Sequence, residues 1–191
     1  MSTPPFALWA AAADDATFTD PAACAARASE FERQIARRNR RERIAGWAQL
    51  PLWGLLAAFF AYVGEWPVAL ALALTGAGVL VVIRNLPRHA GLLERRPEEP
   101  CLDHLVRQYR RQYRALIRVP LWYVGPLVPG LVAVLATVTA GVAETKGWNA
   151  ALAGLARPTL LTGGVIAAVI LVNLWAARRV KRELDRLERL A

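Results

Sequence analysis

Long apolar runs alternate with short charged blocks along this chain. Four of the runs contain no Asp, Glu, Lys, Arg or His; they cover residues 44–64, 66–83, 119–143 and 158–177 and are 21, 18, 25 and 20 residues long. A helix rises about 1.5 Å per residue, and the hydrocarbon core of a bilayer is about 30 Å thick. Each run meets or nearly meets the length that a transmembrane helix needs, so the pattern predicts four transmembrane helices.

Two segments that precede apolar runs have the pattern of a basic amphipathic helix. In residues 101–118, apolar side chains recur at spacings of three and four, which places them on one stripe of a helix. The stripe consists of Leu102, Leu105, Val106, Tyr109, Tyr113, Leu116 and Ile117. Five arginines against one aspartate give this segment a net charge of +4, and seven arginines against three glutamates give residues 27–43 the same charge.

Each basic segment leads into the same triplet, Pro51-Leu52-Trp53 and, 69 residues later, Pro120-Leu121-Trp122. A parallel repeat of basic helix, span and return span would produce this match, and so would chance convergence on proline and tryptophan at the membrane interface. Pro126 and Pro129 follow the second triplet. Because each proline removes an amide donor, we expect a kink at the start of the third span.

The predicted fold class is all-α: a polytopic membrane protein with four transmembrane helices in two hairpins and basic amphipathic cytoplasmic helices. The segments are a weakly ordered N-terminal segment (1–19), a basic helix (20–46), a first transmembrane hairpin (47–83), a linker (84–100), a second basic helix (101–118), a second transmembrane hairpin (119–177) and a helical tail (178–191). The tail lacks a helix breaker, so one helix is expected to run from the fourth span into it.

Composition supports a membrane protein over a soluble helical bundle. Of the 191 residues, 55% are hydrophobic, the mean hydropathy is +0.28, and the net charge is +9. Of the 24 basic residues, 22 lie before the first span, between the second and third spans, or after the fourth span. Only Lys146 and Arg157 lie in the loop 144–157 that joins the third and fourth spans. The positive-inside rule then places both termini and the central segment in the cytoplasm. Residues 1–13 have no basic region, so a cleavable signal peptide is not expected.

Chemistry-bearing motifs are sparse. Cys24 and Cys101 both fall on the predicted cytoplasmic side, where thiols stay reduced, so no disulfide is expected. The Cys101-x-x-His104 spacing is only half of a typical zinc site, and neither a metal nor a cofactor is predicted. No phosphate-binding loop or catalytic motif occurs, and the spans contain no charge for ion-coupled transport. The arginine clusters border spans, which the membrane surface explains better than nucleic acid does.

Three short segments carry a resemblance to a known group: residues 31–42 (FERQIARRNRRE), 107–113 (RQYRRQY) and 122–130 (WYVGPLVPG). They resemble an uncharacterised group of small bacterial inner-membrane proteins associated with genes for extracytoplasmic-function sigma factors. The resemblance implies a regulatory role at the cytoplasmic face of the inner membrane and assigns no catalytic residue.

The predicted function is therefore that of a non-enzymatic inner-membrane protein whose basic helices bind a cytoplasmic protein partner, anionic lipid or another protomer. The continuous apolar stripe of residues 102–117 motivates this prediction, because it must be buried against something. The candidate partner- or lipid-binding residues are Arg37, Arg38, Arg40, Arg41, Arg107, Tyr109, Arg110, Arg111, Tyr113 and Arg114. The alternatives are a small channel or transporter subunit, with a path lined by Thr159, Thr162 and Asn173, and a scaffold subunit of a larger membrane complex.

Overall fold

A computed structural model describes residues 21–189, and the segment predicted for residues 1–19 lies outside them. Within the described range there are five α-helices, one π-helix and no strand, which confirms the all-helical class. The helices are α1 (Pro21–Tyr62), α2 (Trp66–Ala90), α3 (Cys101–Ile117), the π-helix (Pro120–Val124), α4 (Val128–Lys146) and α5 (Trp148–Leu187).

Four of these helices, α1, α2, α4 and α5, are long and apolar enough to cross a membrane, as predicted. With 42 and 40 residues, α1 and α5 are about 60 Å long, roughly twice the thickness of a hydrocarbon core. The first basic segment and the first apolar run therefore form one uninterrupted helix. The same holds for the fourth apolar run and the tail, where the expected continuous helix extends to Leu187.

Both sharp turns at the far end of the molecule depend on glycine. Gly64, between α1 and α2, has a φ of 87°, and Gly147, between α4 and α5, has a φ of 82°. Such positive angles suit glycine because it has no Cβ. In the second case the turn is shorter than the predicted loop 144–157, because α4 and α5 continue helically up to Gly147 from either side.

Helix α2 lies between α1 and α4. It packs antiparallel to α1, since the contact of Gly46 with Ile83 and the contact of Gly76 with Trp53 run in opposite sequence directions. Its buried residues include Gly76 and Gly78, whose lack of a side chain lets the neighbouring helices approach closely.

The contact between α2 and α4 is closer still. A Cβ on Gly130 of α4 would lie 2.5 Å from both the Cα and the Oγ1 of Thr75, so α4 can approach α2 this closely only because residue 130 is glycine. By contrast, Gly163 and Gly164 of α5 face open space. In the apolar 18-residue stretch of each of these four helices, 39% of the residues are buried in α2, 0% in α1, and 6% in both α4 and α5. The exposed apolar faces of the outer helices therefore suit contact with lipid or other protomers.

The predicted kink before the third span is a stretch of irregular helix, in which Val119, Gly125 and Leu127 keep a right-handed helical backbone. Helix α3 ends at Ile117, the π-helix occupies Pro120–Val124, and α4 starts only at Val128. Trp122 lies in this irregular segment, and its Nε1 donates a hydrogen bond of 2.9 Å to the carbonyl oxygen of Ala115. A buried cluster surrounds it, consisting of Leu86, Ala90, Ala115, Val119, Trp122 and Val124.

Helix α3 lies against the ends of the two long helices, α1 and α5. It packs mainly on α5, with smaller contacts to α1 and α2. We call the resulting three-helix assembly the basic bundle and define it as residues 24–39 of α1, all of α3 and residues 177–187 of α5.

Candidate functional site

The apolar stripe of α3 forms the core of the basic bundle. The cluster contains Cys24 and Ala28 of α1, Leu105 and Tyr109 of α3, and Leu184 and Leu187 of α5. The Tyr109 ring is 8% exposed and stacks on Phe31, with centroids 3.9 Å apart. Burial raises the pKa of its hydroxyl above the ordinary value of 10.0. The chain itself therefore covers most of the stripe that motivated a partner, and Tyr109 is a core residue.

The expectation that the two cysteines stay unpaired is wrong. Cys24 and Cys101 form a disulfide, with their Cα atoms 6.3 Å apart, although 77 positions separate them in the sequence. The expectation was drawn from the predicted compartment, whereas the pairing results from tertiary packing that brings the starts of α1 and α3 into one apolar cluster. The bond joins the two basic helices covalently.

Polar side chains in the bundle bind the end of α2. The Ala90 carbonyl has no helical partner because α2 ends there, and it accepts hydrogen bonds from Asn39 Nδ2 (2.7 Å) and Gln112 Nε2 (3.0 Å). The predicted site residue Arg38 donates to Gln112 Oε1 at 3.1 Å, and Gln108 Oε1 accepts the Leu93 amide at 2.9 Å. Arg38 thus belongs to a network that joins α1, α2 and α3.

His104 is buried between carboxylates. Its Nε2 lies 3.0 Å from Glu32 Oε1, and its Nδ1 lies 3.5 Å from Glu99 Oε2, which also pairs with Arg107 at 2.6 Å. Cys101 is bonded to Cys24, so the Cys101-x-x-His104 pattern does not form a pair of metal ligands here. Residues 21–189 contain no group of three or more His, Cys, Asp or Glu side chains that could hold a metal ion.

An arginine-lined opening lies where the end of α2 meets the outer face of α3. This arginine cavity has a volume of about 380 Å³ and no acidic residue in its lining. It is lined by Arg88, His89, Leu93, Arg107, Arg110, Arg111, Arg114, Ala115 and Arg118. Four of the ten predicted site residues meet here: Arg107, Arg110, Arg111 and Arg114.

The cavity arginines differ in how their charge is balanced. Arg107 pairs with Glu99, and Arg110 pairs with Glu188 at 2.6 Å. Arg111 donates to the carbonyl oxygens of Pro87 (3.4 Å) and Arg88 (2.8 Å), so it caps the end of α2 and keeps its net charge.

The other three arginines, Arg88, Arg114 and Arg118, are exposed, and no carboxylate of residues 21–189 lies within 4.0 Å of them. Together with Arg111, they leave four guanidinium charges around the cavity without a carboxylate partner. A carboxylate-free pocket with this excess of charge can bind anions.

Sequence reasoning missed Arg88, His89 and Arg118 as site residues. The first two follow the second apolar run by one to two turns, and Arg118 directly precedes the third, so proximity to a span end was the available signal. Three of the remaining predicted residues, Arg37, Arg40 and Arg41, are exposed on α1 and do not line the cavity. Tyr113 is half-buried, with Lys181 Nζ 6.0 Å from its ring centroid.

Comparison with protein-family models, curated proteins and solved structures finds no match to this chain.

Proposed function

We propose that this chain is a non-enzymatic, multi-pass protein of the bacterial inner membrane that holds its basic bundle against the cytoplasmic surface and binds anionic groups there. The observation that carries the proposal is the carboxylate-free arginine cavity at the ends of α2 and α3. Charge, rather than the apolar stripe, is what the bundle offers to a ligand, because the stripe packs mostly inside the chain.

The geometry of the bundle supports one common side for the basic segments. Arg27 of α1 pairs with Glu183 of α5 at 3.3 Å, and Arg110 of α3 pairs with Glu188 at the end of α5. The basic segments that adjoin the first, third and fourth spans therefore lie together. Both helix pairs, α1–α2 and α4–α5, start from this end, as a parallel repeat requires. An anionic cytoplasmic leaflet attracts basic residues near the surface by about 1 kcal/mol each.

Anionic phospholipid and an acidic face of a protein partner are both ligands of this kind. A regulatory connection to an extracytoplasmic-function sigma factor stays a prediction that depends on the sequence resemblance alone. The exposed apolar faces of α1, α4 and α5 are compatible with homo-oligomers and with a scaffold role in a larger complex.

The residues of the channel alternative do not share one cavity, because Asn173 lines a cavity with Arg38 and Glu42 while Thr162 lines a separate apolar one. The Asn173 amide donates to the carbonyl oxygen of Val169 in its own helix at 2.8 Å. Thr159 is exposed and Thr162 only half-buried, so the three residues do not line an enclosed path within one chain.

Purification in mild detergent, followed by native mass spectrometry with added lipids, tests the proposal. We expect the wild-type protein to retain phosphatidylglycerol over phosphatidylcholine, or to retain an acidic protein, with a preference that weakens between 50 and 500 mM salt because charge carries it. Equal retention of both lipids together with absence of any acidic partner would contradict the proposal. Reporter fusions at residue 191 provide the topology control, with a cytoplasmic signal expected.

A further inference from the structure

The size and charge of the arginine cavity define the chemistry of its ligand. Four guanidinium charges without a carboxylate partner call for more than one negative charge, and guanidinium groups bind phosphate oxygens in a planar, bidentate geometry. The cavity is an open groove with a volume of about 380 Å³. Two phosphate groups, with ten heavy atoms between them, fit this space.

The position of the cavity along the chain favours a lipid over a soluble phosphate compound. Arg118 directly precedes the charge-free run 119–143, and Arg88 lies five residues after the run 66–83, or about 7 Å along a helix. The headgroup layer of one leaflet is roughly 5–7 Å thick, as the difference between total and hydrocarbon thickness shows. With the apolar runs in the bilayer, the end of the cavity that Arg88 and Arg118 line is at headgroup depth.

The surface beside the cavity also suits an amphiphile. Four exposed side chains lie close together in sequence beside the cavity, and they alternate between arginine and an apolar residue. They are Arg114, Ile117, Arg118 and Leu121. Leu121 is 76% exposed and Ile117 38%. Cationic and apolar side chains thus alternate along one exposed path towards the membrane, an arrangement in which guanidinium groups meet a headgroup and apolar side chains meet acyl chains.

We propose that the arginine cavity binds the headgroup of an anionic phospholipid that carries two phosphate groups, with its acyl chains against Ile117 and Leu121. Arg88, Arg114 and Arg118 contact the phosphates, while Arg111 holds the end of α2 in place and adds its charge. The inference rests on the proposed function, since it requires the membrane to lie at this level of the chain.

Two matched triple variants test it. Arg88→Gln/Arg114→Gln/Arg118→Gln removes three exposed charges from the cavity, and Arg37→Gln/Arg40→Gln/Arg41→Gln removes three exposed charges from α1 outside it. Native mass spectrometry of the full chain in detergent measures retention of cardiolipin, which carries two phosphates, of phosphatidylglycerol, which carries one, and of inorganic pyrophosphate. Unchanged thermal midpoints show that each variant folds, and the single variants Arg114→Gln and Arg40→Gln replace the triples if one does not.

We expect wild-type protein to retain cardiolipin over phosphatidylglycerol, and the cavity triple to lower cardiolipin retention by at least about tenfold, given roughly fivefold per arginine. The α1 triple is expected to change it less than about threefold. If wild-type protein prefers anionic lipid but both triples reduce retention equally, the cavity is not the site, although the proposed function stands. Binding of pyrophosphate that displaces cardiolipin would overturn the assignment to lipid, and failure of wild-type protein to prefer any anion would overturn both proposals.

Discussion

The chain contains the triplet Pro-Leu-Trp twice, and the two copies have different structures. Pro51, Leu52 and Trp53 lie inside the uninterrupted helix α1, whereas Pro120, Leu121 and Trp122 begin the π-helix that separates α3 from α4. Trp53 is half-exposed, and its Nε1 has no hydrogen-bond partner in the described range. Trp122 is 8% exposed, and its Nε1 donates to Ala115. One short pattern therefore produces a half-buried tryptophan with an unpaired indole nitrogen in one place and a buried, hydrogen-bonded tryptophan in the other.

The residues that follow each triplet explain the difference. After Trp122 the chain continues through Gly125, Pro126 and Pro129, and the two prolines remove amide donors that a continuous helix would use. A Cβ on Gly125 would lie 2.5 Å from the Leu121 carbonyl oxygen, so the tight backbone there needs glycine. After Trp53 no proline occurs before Pro67. The irregular segment beside the second triplet lies where α3 leads into α4, and Arg118 at its start lines the arginine cavity.

The largest expected difference between the two copies is the effect of losing the indole. We expect Trp122→Ala to lower the free energy of unfolding by about 3–5 kcal/mol, because it empties a buried site and removes the hydrogen bond to Ala115. We expect Trp53→Ala to cost about 1 kcal/mol or less, because that ring is half-exposed and its nitrogen is unpaired. Thermal unfolding in detergent measures both variants. Equal losses would mean that the two tryptophans have equivalent roles.

The disulfide joins the starts of the two basic helices, and its removal is expected to have the next largest effect. A bond across 77 positions should contribute about 2–4 kcal/mol by restricting the unfolded chain, or roughly 4–16 °C in the thermal midpoint. Adding a reductant should lower the midpoint of the wild-type protein by that amount and leave Cys24→Ala/Cys101→Ala unaffected. A midpoint that does not respond to reductant would show that the two helices are held without the bond. Because the cytoplasm is reducing, the proposed topology predicts that thiol alkylation in intact cells labels both cysteines, and a bonded, unlabelled pair would contradict the cytoplasmic placement of the basic bundle.

Replacing the proline of each triplet by alanine is expected to have the smallest effect on the free energy of unfolding. For the first triplet the change is expected to stabilise the protein rather than destabilise it. Pro51 lies inside a helix and removes a hydrogen bond, so Pro51→Ala should stabilise the protein by about 1 kcal/mol, a fraction of the roughly 3 kcal/mol that separates proline from alanine in a helix interior. Pro120 is the first residue of the π-helix, where a missing amide hydrogen costs little, so Pro120→Ala should change the unfolding free energy by less than about 0.5 kcal/mol. Destabilisation by Pro51→Ala would instead assign the first proline a role in shaping α1.

Patterns local in sequence predicted much of this fold. Helical periodicity identified α3 as amphipathic, and charge-free length identified the four span-capable helices. The cluster of prolines predicted the irregular segment before α4. The candidate site was predicted only in part, because Arg107, Arg110, Arg111 and Arg114 share one face of α3 while Arg88 comes from the end of α2. The spacing of residues in the sequence predicts which side chains share one face of a helix, but it does not predict which two helices contact each other.

The sequence by itself determined which segments are helical and which of them avoid charge, since both follow from the spacing and type of neighbouring residues. Tertiary structure alone decided that the stripe of α3 is covered by α1 and α5, that Cys24 meets Cys101, and that four unpaired guanidinium groups surround one cavity. The physical reason is that these contacts depend on how helices distant in sequence pack, and the pattern within any one segment does not encode that packing.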